Sequence, residues 1–408
     1  LKTSGFRPTR RFTEGESPRK KRRGNMHRVF RDIRRKLRFG LPRMHHEAGE
    51  RRAFLPDFVA RLERNGAQVI LEQGYGAKMG LSDVDYRKVA PSVVFASHDE
   101  VYQQEYVLVL RCPAEEDLRR LRPGACLISM LHYPTRPQRV ALLRELGIEA
   151  ISLDSIVDDS GHRIVENLKS VAWNGMEVAF QTLRKTYPNQ EFESRERRPI
   201  QVTLLGAGSV GVHVVQAAIR YGDPDLWKSM AARGLPGVQV SVVDYDTTRY
   251  ASYMREILAK TDLLVDATQR PDPSQPVIPN PWIAWLPEHA VLLDLSVDPY
   301  NCDATAPSVK GIEGIPQGNL DQYVFAPDDP AYDAIPACFS TAHRRYAVSC
   351  YSWPGIHPKA CMQLYGRQLR PVVRTLLEKY GVENIDPKGR YFERAIGRAM
   401  LSRFAGPH

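Results

Sequence analysis

Regular alternation of apolar and polar positions begins at Leu37 and divides the 408-residue chain into short strands and helices. The pattern predicts a strand at 37–41, a helix at 55–65 and a strand over "QVILE", from Gln68 to Glu72. Ser82 stands where the N-cap of a helix opening at Asp83 is expected. Apolar runs at 106–110 and 125–131 have the length of buried strands, and "LLRELG" followed by "EAISLD" adds a helix and a strand. A long helical stretch, 165–187, leads into the polar linker 188–198. Another, 358–380, contains Pro371, which is expected to interrupt it. Strands alternating with helices predict largely parallel sheets with helices on both faces. The expected class is α/β, with two doubly wound domains joined by long helices.

The strongest local motif is "VTLLGAGSVGVHVVQAAI", a short apolar run, three spaced glycines and a segment with helical period. Gly206 permits a tight turn, Gly208 lets the backbone approach a pyrophosphate, and Gly211 lets helix and strand pack closely. Ser209 and Val210 open the helix, whose N-terminus favours an anion. The next strand, Val238 to Val243, ends on Asp244, placed to accept hydrogen bonds from a ribose. Asp244 lies 38 residues beyond Gly206 rather than the usual about 20, because Gly222 to Gly237 reads as an inserted turn and short helix. A carboxylate repels a 2′-phosphate, so NAD is expected in preference to NADP. The second domain, 173–354, is thus expected to be a Rossmann dinucleotide-binding domain. The first comprises 36–172 plus 355–408 and carries the substrate. The bland alternative is a glycine-rich turn that binds nothing.

With 43% hydrophobic and 25% charged residues, the composition is that of an ordinary globular protein, and no run approaches the about 20 apolar residues of a membrane span. The net charge of +10 is concentrated at one end. Residues 1–45 hold 16 Lys/Arg against 3 Asp/Glu, leaving 41 against 44 for the remainder. The leader 1–35 reads as a disordered extension, partly a misplaced start with Met26 available, or else as an arm for nucleic acid or an anionic membrane. It lacks the apolar core of a secretory signal. Nucleic acid is not the expected partner. The six cysteines have no CxxC spacing, so neither a zinc site nor a disulfide framework is expected, and a reducing cytoplasm is the expected compartment.

Polar groups stand where several strands end or a helix begins: Arg51 in "GERRAFLPDF", Arg111 in "YVLVLRCP", His132 in "CLISMLHYP" and Asp298 in "VLLDLSVDPY". Each has a bland reading as a solvated charge, an ion pair, a satisfied histidine or a turn former. Their order, together with "LRFGLPRMHHEAGERRAFLP", "LEQGYGAKMGLSDVDYRKVA", "AISLDSIVDDSGHRIVENLKSVAWNGM" and "TDLLVDATQRP", resembles the alanine dehydrogenase/transhydrogenase N-terminal family. The resemblance implies a carboxylate-binding arginine at Arg51, an active-site histidine at His132 and a catalytic aspartate at Asp298. It also implies that Thr268, Leu295 and Trp353 border the cofactor. The implied activity is NAD-dependent, reversible deamination of an L-amino acid to a 2-keto acid. The implied partners are that small molecule and further copies of the chain.

Three departures qualify the resemblance, one being the charged "EFESRERRP" where the family has a Gly-rich loop before the Rossmann strand. The family's active-site lysine falls on Arg111, a group that binds oxyanions but does not accept protons. The family's "NMP" becomes Ser352-Trp353-Pro354. A larger or dicarboxylic substrate, as in saccharopine dehydrogenases, and a non-catalytic NAD(H)-binding protein are the alternatives.

Overall fold

Two six-stranded sheets organise the chain in a computed structural model that describes residues 36–44, 49–303 and 307–405. The first contains β1 (Arg38–Leu41), β2 (Gln68–Glu72), β3 (Val94–Ala96), β4 (Tyr106–Arg111), β5 (Cys126–Met130) and β6 (Glu149–Ser152). Its order is β3-β2-β1-β4-β5-β6, with every pairing parallel. The second contains β7 (Ile200–Leu205), β8 (Val238–Val243), β9 (Leu263–Asp266), β10 (Val291–Asp294), β11 (Val324–Phe325) and β12 (Tyr346–Ser349). Its order is β11-β12-β10-β9-β7-β8, parallel except for the edge strand β11. Strand order reverses between β1 and β4 in one sheet and between β7 and β9 in the other. Crevices outside the carboxyl ends of such strands are where doubly wound folds bind ligands. The leader 1–35 lies outside the described residues.

The sequence pattern finds its elements for local reasons. Ser82 caps the Asp83–Val89 helix through a reciprocal box with Asp85, whose carboxylate accepts from Ser82 N at 2.7 Å. The surplus before Asp244 is the helix Pro224–Ala232, capped by Asp223. The helix Leu168–Thr186 packs Ala172, Met176 and Phe180 into the core of the second sheet with Val202 and Leu293. The helices Pro358–Glu378 and Tyr391–Ala399 return to the first sheet, where Leu369, Val372 and Ile396 share a core with Phe39, Val69 and Ile128.

Two expectations are corrected. The helix Pro358–Glu378 runs continuously through Pro371. A helix-interior proline costs about 3 kcal/mol, while burying a large apolar side chain contributes about 1.5–3 kcal/mol. This helix buries Met362, Leu369, Val372, Val373 and Leu376, so packing wins. The second correction concerns the cysteines. Cys302 and Cys338 form a disulfide across 36 residues. It ties the segment that follows Asp298 to the loop that precedes β12, a pairing without local spacing to announce it.

Candidate active site at the carboxyl ends of both sheets

The glycine turn has three different environments. Gly206 follows β7 at φ +85°, a left-handed conformation that favours glycine, and an added Cβ would lie 3.1 Å from Ala267 O. A Cβ on Gly208 would meet nothing within 4 Å, which leaves space above the turn. On Gly211 it would lie 2.4 Å from Gly206 O, so the helix Ser209–Ala218 closes on the strand only through glycine. Ala207, Gly208 and Ser209 are exposed, with Val210 partly covered. This combination fits a dinucleotide: a tight turn, open space and exposed residues opening a helix N-terminus. Asp244 is exposed at the end of β8, where its carboxylate caps a short helix by accepting from Tyr245 N at 2.7 Å. Thr268 lies beside Gly206 and donates its N–H and hydroxyl to Asp266 Oδ1, at 3.0 and 2.6 Å.

Leu295 follows β10, and Trp353 stands beyond β12. Both belong to the core of the second sheet, and Trp353 is 1% exposed. Its Nε1 donates to Asp294 O at 2.8 Å, and its carbonyl accepts from Asn174 Nδ2 at 3.0 Å. A buried indole needs an acceptor, and the end of β10 supplies one. The ring therefore faces inward.

The two candidate substrate arginines flank the reversal of strand order in the first sheet. Arg111 is the last residue of β4, and its guanidinium lies 4.6 Å over the ring of Tyr351, just beyond β12. Arg51 has a side chain 56% exposed, with Asp321 Oδ1 at 4.0 Å. Its neighbour Arg52 is buried and locked to Glu50, whose Oε1 accepts from Nε at 2.9 Å. Burial alone would raise the Glu50 pKa, but Arg52 overrides it and holds the carboxyl below its ordinary value. Two adjacent arginines thus divide into a structural one and an accessible one.

His132 has left-handed backbone, and Asp298 directly follows a residue that does. His132 has φ +51° just past β5. The N–H groups of Leu131 and His132 both donate to Asp154 Oδ1, at 2.9 and 3.1 Å, which holds the turn. His132 Nδ1 lies 3.4 Å from Asp154 Oδ2. The His132 side chain is half exposed; its partial burial lowers the pKa, Arg163, Arg139 and Arg136 add to the effect, and Asp154 opposes it. Asp298 follows Val297, a β-branched residue at φ +60°, and pairs with Arg270 at 2.7 Å. Such strain persists where surrounding structure enforces it and is concentrated at functional sites. No hydrogen bond or ion pair joins His132 to Asp298 among the described residues.

A buried polar network under the second sheet's carboxyl edge was not anticipated. Asp266 ends β9, Asp294 ends β10, and both are fully buried with Lys310. Lys310 Nζ contacts Asp294 Oδ2 and Gln317 Oε1, each at 2.7 Å. Ser296 Oγ lies between the carboxylates, 2.9 Å from Asp266 and 3.1 Å from Asp294. One hydroxyl proton serves only one of them at a time. Burial and the nearby Asp294 push the Asp266 pKa up to about 6. Burial would raise Asp294 too, but Lys310 holds it below its ordinary value. Asp294 Oδ1 also accepts from Val297 N at 2.9 Å, connecting the network to the strained residue before Asp298. Lys310 lies in the loop "SVKGIEG", where no periodicity marks it.

Comparison with known proteins agrees with this architecture. Residues 40–173 match the family described as alanine dehydrogenase/PNT, N-terminal domain. An alanine dehydrogenase of Mycolicibacterium smegmatis is 26% identical over 259 residues, covering 61% of this chain and 70% of that protein. NAD(P) transhydrogenase subunit alpha of Cereibacter sphaeroides is 22% identical over 304 residues, covering 67% of this chain and 58% of the relative. A solved L-alanine dehydrogenase superposes with TM-score 0.65 at 17% identity, covering 91% of this chain and 97% of its own. No described helix is long and apolar enough to cross a membrane. Residues 40–173 thus match the alanine dehydrogenase/PNT N-terminal domain family, and the fold of the chain is similar to that of a solved L-alanine dehydrogenase.

Proposed function

We propose that the protein is an NAD-dependent amino-acid dehydrogenase that interconverts an L-amino acid and a 2-keto acid. The observation that carries this reading is the contact of Arg111, at the end of β4, with Tyr351, just beyond β12. It brings the carboxyl ends of both sheets together. The proposed division is 36–172 with 355–408 for substrate and 173–354 for cofactor.

NAD, when bound, supplies the hydride acceptor. The Gly206–Gly211 turn and Thr268 would hold its pyrophosphate side, and Asp244 its ribose. Arg51 binds the substrate carboxylate through its planar fork. Arg111, permanently charged, holds a second oxygen group and leaves proton transfer to others. His132 accepts or returns the proton at the substrate nitrogen or oxygen, since an imidazole exchanges protons near neutrality. Asp298 orients water or the substrate amine. A guanidinium in a position where the family has lysine favours a dicarboxylic substrate over alanine. Further copies of the chain remain part of the proposal, whereas the Cys302–Cys338 bond weighs against the reducing compartment.

Titration calorimetry tests the cofactor assignment. NAD is expected to bind more tightly than NADP, and Gly211→Ala is expected to lose at least about tenfold in affinity, because the added methyl meets Gly206 O. Tighter binding of NADP would reject the role given to Asp244.

A further inference from the structure

A pocket of about 350 Å³ opens on the helical layer of the first sheet, between the helix Pro56–Arg64 and the helix Pro358–Glu378. Arg61, Arg64, Arg370 and Arg374 line it, with no carboxylate among the lining residues. Its floor is apolar, with Phe58, Leu62, Pro371 and Val373. The Pro56–Arg64 helix runs back toward the start of β2 at Gln68. Its last turn therefore lies at the amino edge of the sheet, opposite the carboxyl ends that carry the candidate active site.

The four guanidiniums are unequally satisfied. Arg374 Nε bonds Glu378 at 2.7 Å, and Arg64 Nε bonds Ala60 O at 3.2 Å. Arg370 NH2 reaches only Asp57, at 3.8 Å, and Arg61 has no acceptor or ion-pair partner among the described residues. The Nε atoms of Arg61 and Arg370 are both buried without a hydrogen-bond partner. A buried donor without an acceptor calls for an ion or ligand. Guanidiniums stay charged throughout the accessible pH range, so an anion placed among them is held by charge as well as by hydrogen bonds.

We propose that this pocket binds a nucleotide-sized phosphate ester, such as a nucleoside diphosphate, at a site separate from the glycine turn. The volume falls within the range of small-molecule sites. The forked donors of Arg61 and Arg370 match phosphate oxygens, and Pro371, the partly exposed apolar residue of the lining, offers a surface for a ring face. The site owes nothing to the dehydrogenase reading.

The test is calorimetric titration of the full chain with ADP and, separately, with pyrophosphate, both with NAD in excess. ADP is expected to bind, pyrophosphate more weakly because it has no ring to cover Pro371. Arg61→Ala/Arg370→Ala is expected to weaken ADP binding by about tenfold or more. Arg61→Lys/Arg370→Lys keeps the charge and is expected to fall in between, and circular dichroism reports whether each variant folds. Equal ADP affinity in wild type and the alanine variant, or no binding of either probe, overturns the proposal. Because NAD affinity is read in a separate titration, failure here leaves the glycine turn untouched.

Discussion

Lys310→Met is expected to cost about 3–5 kcal/mol of stability, the usual consequence of leaving one member of a buried ion pair unpaired. Lys310 and Asp294 are both fully buried and 2.7 Å apart, so the substitution leaves the carboxylate without its counter-charge. Urea unfolding reads the cost. Lys310→Met/Asp294→Asn is expected to recover much of it, because the uncompensated charge is gone. A Lys310→Met midpoint equal to wild type would mean that the network adds nothing. The same network carries a pH dependence. Asp266 titrates near 6 when folded against an ordinary 3.8, so its folded form favours the proton. Its contribution to stability is complete below 3.8 and is lost as pH rises through about 6. Asp266→Asn keeps a neutral partner for Ser296 and is expected to stabilise the protein at pH above 6 but not at pH below 4.

His132→Ala is expected to lower turnover by ~10²-fold or more, the usual contribution of general acid–base catalysis. The structure favours an imidazole that is neutral at neutral pH, because partial burial and three arginines depress its pKa. Turnover that requires a proton acceptor is thus expected to persist below the ordinary histidine value of 6.5 and then fall. Replacing His132 removes that acid limb along with the rate. Asp154→Asn is a softer change, since an amide oxygen still accepts from Leu131 N and His132 N, and it is expected to alter the pH profile more than the fold. Arg111→Lys is expected to remain active. Full activity in His132→Ala would show that the proton acceptor is another group.

Much of the fold was legible because its strands are short apolar runs bounded by polar caps. The β2 limits and the Ser82 cap follow directly from such local signals. Strand β3 was not legible: three residues with Val94 exposed carry no period. Pro371 misled because proline reports a local cost, whereas the continuity of its helix is decided by distant packing against the first sheet. The Cys302–Cys338 bond joins two loops, and only the fold brings them together.

The candidate site shows the same division. Residues at strand ends, such as Arg111 and His132, announce themselves by breaking an apolar run. Adjacent arginines do not: whether Arg51 or Arg52 is the buried partner of Glu50 depends on three-dimensional packing. The burial of Trp353 is not legible either: its indole nitrogen is bonded to Asp294 O within the core. Lys310 was invisible because a lone lysine in a loop has no pattern, and its meaning comes from two aspartates that end neighbouring strands.

The central claim is tested most directly by following NADH oxidation by the purified protein with ammonium and a panel of 2-keto acids, dicarboxylic ones included. The account predicts turnover that needs both ammonium and keto acid, prefers NADH to NADPH, and falls on replacing His132. Tight NAD binding with no turnover for any keto acid in the panel would contradict it and leave a dinucleotide-binding protein without dehydrogenase chemistry.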